Sequence, residues 1–245
     1  MREIRLFVDV PLMPGQPFPL PREASGHALR VLRLKAGDGV TLFNGDGREY
    51  HARLTSADPR SASVEIESVD APERESPLRI TLVQSLARGE KMDWIIQKAT
   101  ELGVARIWPV ASERSEVRLD SSRGEKRLDH WRAVAIAACE QCGRNVLPQI
   151  SPPEALAAKL AAHPADDKET RWMLQPGEAT RLRNAGSAIT DVMLAVGPEG
   201  GFGDDDLGAL RQAGFRALAL GPRVLRTETA GLAAIAALQA RYGDF

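Results

Sequence analysis

The chain has little of what metal, redox or membrane chemistry requires. Its 245 residues include two cysteines and four histidines. A structural zinc site needs about four ligands, yet Cys139 and Cys142 have no second cysteine pair, and His27, His51, His130 and His163 are scattered. No metal site is expected. A redox Cys-x-x-Cys activates its thiol at a helix N-terminus, whereas this pair closes the helical pattern Trp131 to Ala138, so both cysteines read as packing residues in a reducing cytoplasm. No apolar run approaches the about 18 to 20 residues of a membrane span, and the start Met1-Arg2-Glu3-Ile4 has no signal-type stretch. A soluble, cytoplasmic protein without a membrane partner is the expectation. Charge of one sign is missing too: 32 Lys plus Arg stand against 33 Asp plus Glu, a net charge of −1. No global field pulls the protein onto nucleic acid. Any RNA-binding surface must be local, and the arginine-bearing stretch with Arg114, Arg118, Arg123, Lys126 and Arg127 is one hint of it, against the plainer reading of a solvated helix face.

The segments that are present divide the chain in two. Short alternating runs at Ile4 to Val8, Val40 to Phe43, Tyr50 to Thr55 and Ser63 to Val69 read as strands. Asn44-Gly45-Asp46-Gly47 and Asp58-Pro59-Arg60 between them favour tight hairpin turns. With one helix near Ser25 to Leu34, this is a small β-rich unit, expected to be a barrel. Ala71-Pro72-Glu73-Arg74-Glu75-Ser76-Pro77 breaks both periodicities and reads as a linker, which places domains at 1–72 and 73–245.

Strand and helix patterns alternate from Leu78 onward. The strands fall at Leu78 to Gln84, Arg106 to Val110, Arg171 to Leu174, Val192 to Val196 and Ala217 to Leu220. The helices fall at Lys91 to Leu102, Arg123 to Cys142, Pro153 to His163, Asp204 to Ala213 and Thr227 to Arg241. This order argues for an α/β domain with a parallel sheet covered by helices.

Two glycine-bearing loops carry the chemistry. Gly197-Pro198-Glu199-Gly200-Gly201-Phe202 and Leu220-Gly221-Pro222-Arg223-Val224-Leu225-Arg226-Thr227-Glu228 each leave the end of a buried strand, where α/β proteins bind ligands. Gly and Pro there bring peptide groups close to a ligand, and an adenine edge can be read that way. Neither loop is a Walker A motif or a dinucleotide fingerprint, so phosphate binding loses support. Asp204, Asp205 and Asp206 at a helix start read as caps complementing the helix dipole.

These loops, together with Arg5-Leu6-Phe7, His27 with Val31-Leu32-Arg33, Arg88-Gly89-Glu90-Lys91-Met92, Gln97 to Gly103, Ser112-Glu113-Arg114 and Glu140 to Asn145, resemble one family. It is the bacterial 16S rRNA uracil-N3 methyltransferases of the SPOUT superfamily. The resemblance implies a trefoil-knotted parallel-sheet domain with a small N-terminal PUA-like β-barrel, S-adenosyl-L-methionine as cofactor, and 16S rRNA in the small ribosomal subunit as partner, methylated at N3 of uridine 1498. It also implies a homodimer through the knotted domain, with the three knot loops at Leu174 to Gly177, Gly197 to Phe202 and Leu220 to Leu225.

Residue by residue, it suggests Leu174, Gly197, Glu199, Gly200, Gly201, Leu220, Gly221, Leu225 and Thr227 at the cofactor. Arg5, Arg30, Arg33, Arg114, Arg144 and Asn145 are candidates for RNA. Uracil N3 carries a proton and is a poor nucleophile until it leaves, so a cation near O2 or O4 or a base for the proton would speed transfer. Arg226 suits the first role and Glu228 the second, with an Arg226–Glu228 ion pair that merely pins the loop as the structural alternative.

Overall fold

The computed structural model describes residues 4–15, 17–58, 61–115, 121–177, 180–182, 186 and 188–245. In chain order the elements are β1 (Arg5–Phe7), β2 (Pro17–Pro19), α1 (Arg22–Gly26), a π-helical turn (His27–Val31), β3 (Gly39–Phe43), β4 (Glu49–Asp58), β5 (Ser61–Asp70), β6 (Arg79–Ser85), α2 (Lys91–Glu101), β7 (Arg106–Ala111), α3 (Ser121–Cys142), β8 (Gln149–Ile150), β9 (Glu154–Ala155), α4 (Leu156–Ala161), β10 (Thr170–Leu174), β11 (Thr180–Arg181), β12 (Asp191–Val196), α5 (Asp204–Gln212), β13 (Arg216–Ala219) and α6 (Thr227–Tyr242). They form two compact units. One comprises the chain up to Glu75 together with Ile136–Leu147, and the other comprises Ser76–Ala135 and Pro148–Phe245.

The first unit is a five-stranded sheet in the order β1-β3-β4-β5-β2. Asn44 to Gly47 make the β3–β4 turn as their composition dictates. The Asn44 side chain accepts the Asp46 N–H at 3.2 Å, Asp46 accepts the Arg48 N–H at 2.9 Å, and Gly45 and Gly47 take φ of 93° and 87°. Alternate residues of the strands, among them Leu42, Leu54, Val64 and Ile66, close an apolar core with Leu6 and Ala28. The expected helix at Ser25 to Leu34 is corrected: α1 starts at Arg22, and the chain then widens into the π-turn, where Leu32 N–H reaches back five residues to His27 O at 3.0 Å. Periodicity over ten residues cannot signal one extra residue in a turn.

The second unit is a parallel sheet in the order β11-β13-β10-β12-β6-β7-β8, with β9 also pairing with β7. Its strands are apolar on both faces because helices cover both. Leu82 and Leu194 point into a cluster with Ile95 and Ile96 of α2 and Ile235 and Leu238 of α6. Their neighbours Val83, Met193 and Ala195 point the other way, onto Leu156 and Leu160 of α4 and Leu210 of α5. The helix expected over Pro153 to His163 is only Leu156–Ala161, since Glu154–Ala155 pair as β9 with β7. Strand β10 lies between β12 and β13, so the segments following three adjacent strands emerge at one edge of the sheet. Among the described residues no helix is long and apolar enough to cross a membrane.

Candidate functional site

At the carboxyl ends of β10, β12 and β13 a cleft of about 430 Å³ opens, a size typical of small-molecule sites. Its wall is drawn from Leu174 to Pro176, Val196 to Glu199, Gly201 and Phe202, Leu218 to Gly221, Arg223 to Thr227 and the helix residues Leu207 and Ala230. Most of this wall is aliphatic side chain or peptide group, with Arg223, Arg226 and Glu199 as its charged members among the described residues.

The turn after β12 is tight. Gly201 N–H donates to Pro198 O at 2.9 Å, and Gly201 adopts φ 70°. A Cβ on Gly197 would sit 3.1 Å from Phe202 N and 3.3 Å from Gly201 C, so a side chain there would require this backbone to shift by a few tenths of an ångström. Its neighbour Phe202 is buried against α5. Asp206 fixes the start of that helix: its carboxylate accepts the N–H of Gly203 at 3.1 Å and of Glu113 at 3.0 Å. The aspartate cluster thus contains a cap, and Arg114 from the same neighbourhood donates to Gly200 O at 3.2 Å.

The turn after β12 and the start of α6 are joined by a buried hydroxyl. Thr227 Oγ1 donates to Gly197 O at 2.7 Å and accepts from Gln84 Nε2 at 3.1 Å. Gln84, at the end of β6, is fully buried. A second tie is ionic and nearer to solvent. Lys91 Nζ lies 2.9 Å from Glu199 Oε1 and 3.5 Å from Glu228 Oε2. For Glu199, burial works against ionisation, but the Lys91 ammonium and backbone N–H groups outweigh it and hold its carboxyl below the ordinary value of 4.5. The Lys91 ammonium is held above its ordinary value by the hydrogen bond to Glu199.

Of the residues singled out in sequence, Leu174, Gly197, Glu199, Gly201, Leu220, Gly221, Leu225, Thr227 and Arg226 all stand on the wall of this cleft. Gly200 sits beside it as the acceptor of Arg114, and Glu228 turns from the wall toward Lys91. An Arg226–Glu228 pair is not formed: the cation at Glu228 is Lys91, and among the described residues the Arg226 guanidinium has no ion-pair partner. The Glu228 oxygen that faces Lys91, Oε2, is buried, and among the described residues its polar neighbour is that ammonium at 3.5 Å, a long contact. Lys91, Gln84 and Arg223 were not singled out. Lys91 and Arg223 stood inside the quoted motifs, but only the fold shows what they face.

Within the first unit the candidates for RNA separate into two groups. Arg5, Arg144 and Asn145 are buried, at 6%, 6% and 1% exposure. Arg5 pairs with Glu49 at 2.7 Å and also donates to the Asn145 side chain. Asn145 donates to Glu49 at 3.3 Å, and Arg144 Nε donates to Glu75 at 3.1 Å. Burial opposes ionisation of Glu49, yet Arg5 and Asn145 overcome it and hold its carboxyl low. Apart from Arg5 Nε, which is buried without an acceptor, these three side chains are engaged inside the protein, and a phosphate could recruit them only by displacing those partners. Arg30 and Arg33 are exposed, and Arg33 holds φ 56°, which is rare for a residue with a side chain. Arg118 and the side chain of Arg123 lie outside the described residues.

Comparisons with known proteins agree with this geometry. Residues 74–239 match the RNA methyltransferase domain family, and residues 20–67 match the RNA methyltransferase PUA domain. A ribosomal RNA small subunit methyltransferase E of Buchnera aphidicola from Schizaphis graminum is 33% identical over 98% of this chain and 97% of its own. Two solved structures are each 40% identical, with all of both chains covered. One is a methyltransferase of Legionella pneumophila in complex with S-adenosylmethionine, at a TM-score of 0.95. The other is a ribosomal RNA small subunit methyltransferase E of Neisseria gonorrhoeae bound to S-adenosyl methionine, at 0.92.

Proposed function

Because the chain belongs to the RNA methyltransferase family that includes the ribosomal RNA small subunit methyltransferases E, we propose that it methylates N3 of uridine 1498 in 16S rRNA, using S-adenosyl-L-methionine. The observation that carries this reading is the meeting of three strand-end segments in one cleft, in a chain 40% identical throughout to proteins solved with that cofactor. The cleft suits such a ligand. Aliphatic walls at Leu174, Leu218, Leu220 and Leu225 can sandwich a flat base, and the peptide groups between them can read its edge.

When bound, the cofactor supplies an electrophilic methyl group on a sulfonium. What the chain must add is a cheaper uracil anion. Arg226 is fixed at the start of α6, where its carbonyl accepts Thr229 N–H at 2.9 Å and Ala230 N–H at 2.8 Å. Its planar guanidinium, without an ion-pair partner among the described residues, suits an oxygen of the deprotonated ring. Glu228 is the proton acceptor in this scheme, a carboxylate beside the cleft whose Oε2 faces the Lys91 ammonium at 3.5 Å. Gly197, Gly200, Gly201, Gly221 and Thr227 shape the cofactor side, and Glu199 steadies its turn through Lys91.

The first unit, with Arg30 and Arg33 exposed, serves as the RNA-binding domain, and Arg114 contributes beside the cleft. The division of labour runs close to residue 72. The catalytic domain is knotted, pairs as a homodimer through that domain, and works in the cytoplasm on the small ribosomal subunit. Small subunits from cells lacking this gene, incubated with the protein and methyl-labelled cofactor, should gain label at one uridine N3. Label at another nucleotide, or in tRNA or 23S rRNA, would overturn the substrate assignment. Light scattering should return twice 26.6 kDa.

A further inference from the structure

The loop that leads into α6 carries two arginines onto the wall of the cleft, and the chemistry above employs one of them. Arg223 and Arg226 are both exposed, and among the described residues neither guanidinium has an ion-pair partner. Glu199, the one carboxylate on the wall among the described residues, is already bound by Lys91. Among the described residues the wall is thus left with two uncompensated positive charges. A sulfonium cofactor would add a third, so the charge balance calls for more than one anion. A uracil anion answers Arg226 alone.

The two arginines differ in anchorage. Arg226 is held by the first hydrogen bonds of α6, which suits a charge that must be fixed relative to a reacting oxygen. Arg223 stands three residues farther out, past Gly221 at φ 150° and beside Val224, which is 79% exposed. An outlying forked cation matches two oxygens of a phosphodiester and can follow it as the strand settles. We propose that Arg223 grips a backbone phosphate adjoining the target nucleotide, holding the RNA strand at the mouth of the cleft while the extruded base lies against Arg226. Such a contact would help offset the unstacking that extrusion requires. This inference rests on the RNA methyltransferase reading and specifies how the same site holds its strand.

A phosphate contact has a signature that a structural role lacks, because each neutralised phosphate releases counterions and steepens the salt dependence of RNA binding. Wild type, Arg223→Gln and Arg223→Lys should be assayed on unmethylated small subunits across a salt series, with the cofactor Kd measured separately by calorimetry. In Arg223→Gln, KM for the subunit should rise. The slope of log KM against log salt should flatten by about one, with the cofactor Kd within about twofold of wild type. Arg223→Lys should keep most of the slope. An unchanged slope in Arg223→Gln, alongside normal wild-type turnover, would overturn this inference alone. A cofactor Kd that rises in step with KM would also overturn it, by assigning Arg223 to the cofactor carboxylate. Wild-type protein that binds cofactor and methylates no RNA would overturn the proposed function as well.

Discussion

Replacing Thr227 by valine tests whether a buried hydroxyl holds the cleft together. The substitution keeps the shape and removes one oxygen. That oxygen donates to Gly197 O at 2.7 Å and accepts from Gln84 Nε2 at 3.1 Å, in a residue only 5% exposed. Gln84 is fully buried and keeps one bond, to Ser85 O at 3.0 Å, so its second N–H would be stranded. Each stranded buried group costs about 1–3 kcal/mol. Water can reach the half-buried Gly197 more easily, which sets the expected loss at about 2–4 kcal/mol by the same scale. For a chain of this length that corresponds to a fall in Tm of about 5–15 °C.

The cofactor should feel the same change, since the turn after β12 would no longer be tied to α6. Kd should rise by up to about tenfold for each 1.4 kcal/mol by which the competent arrangement is depopulated. Thermal unfolding and calorimetry on Thr227→Val and Thr227→Ser separate the causes. Serine keeps the hydroxyl and should stay within about 1 kcal/mol of wild type, the usual scale for one buried methyl group. Equal losses in the two variants would refute the argument, because methyl packing rather than hydrogen bonding would then hold the tie. A valine variant as stable as wild type would refute it outright.

Other expectations follow from the same geometry. Arg5→Met should destabilise the first unit by about 1–3 kcal/mol, the scale of a lost buried hydrogen-bonding partner, because Arg74 at 3.3 Å and Asn145 still face Glu49. The salt slope of RNA binding should not change in that variant, and a flattened slope in a stably folded Arg5→Met protein would restore Arg5 as a phosphate contact. The Lys91–Glu199 tie should be pH-dependent. Because the folded carboxyl of Glu199 lies below its ordinary 4.5, its contribution is complete above that value and fades as pH falls through the lower folded one. Lys91→Met should reduce this acid-side difference in a stability–pH series, leaving the part supplied by backbone N–H groups. Burial pushes the Cys139 thiol up from 9.0 to about 12. Native protein should leave Cys139 unmodified by a thiol reagent at pH 8. Stability should decline as pH rises past 9, where the unfolded thiol ionises and the folded one does not.

Much of the second unit was legible because its signals are local. Val192 to Val196 is an unbroken apolar run because helices cover both faces of its strand, and such a run bounded by glycine marks a buried parallel strand. Short elements carry no such signal. β8 and β11 have two residues each, and their pairing comes from β7 and β13, far away in sequence.

The site divides in the same way. Sequence alone determined the two glycine loops, their place at strand ends and the family they resemble, because backbone permissiveness and strand periodicity are properties of a few consecutive residues. Tertiary structure decided which charges are free. Arg5 and Arg144 look like Arg30 and Arg223 as letters, yet Glu49 and Glu75 neutralise the first two in the interior while the others face water. It also decided that Glu228 answers to Lys91, 137 positions earlier in the chain, rather than to its neighbour Arg226. Coulombic attraction and desolvation depend on distance in space and on burial, and neither is written in the order of the residues.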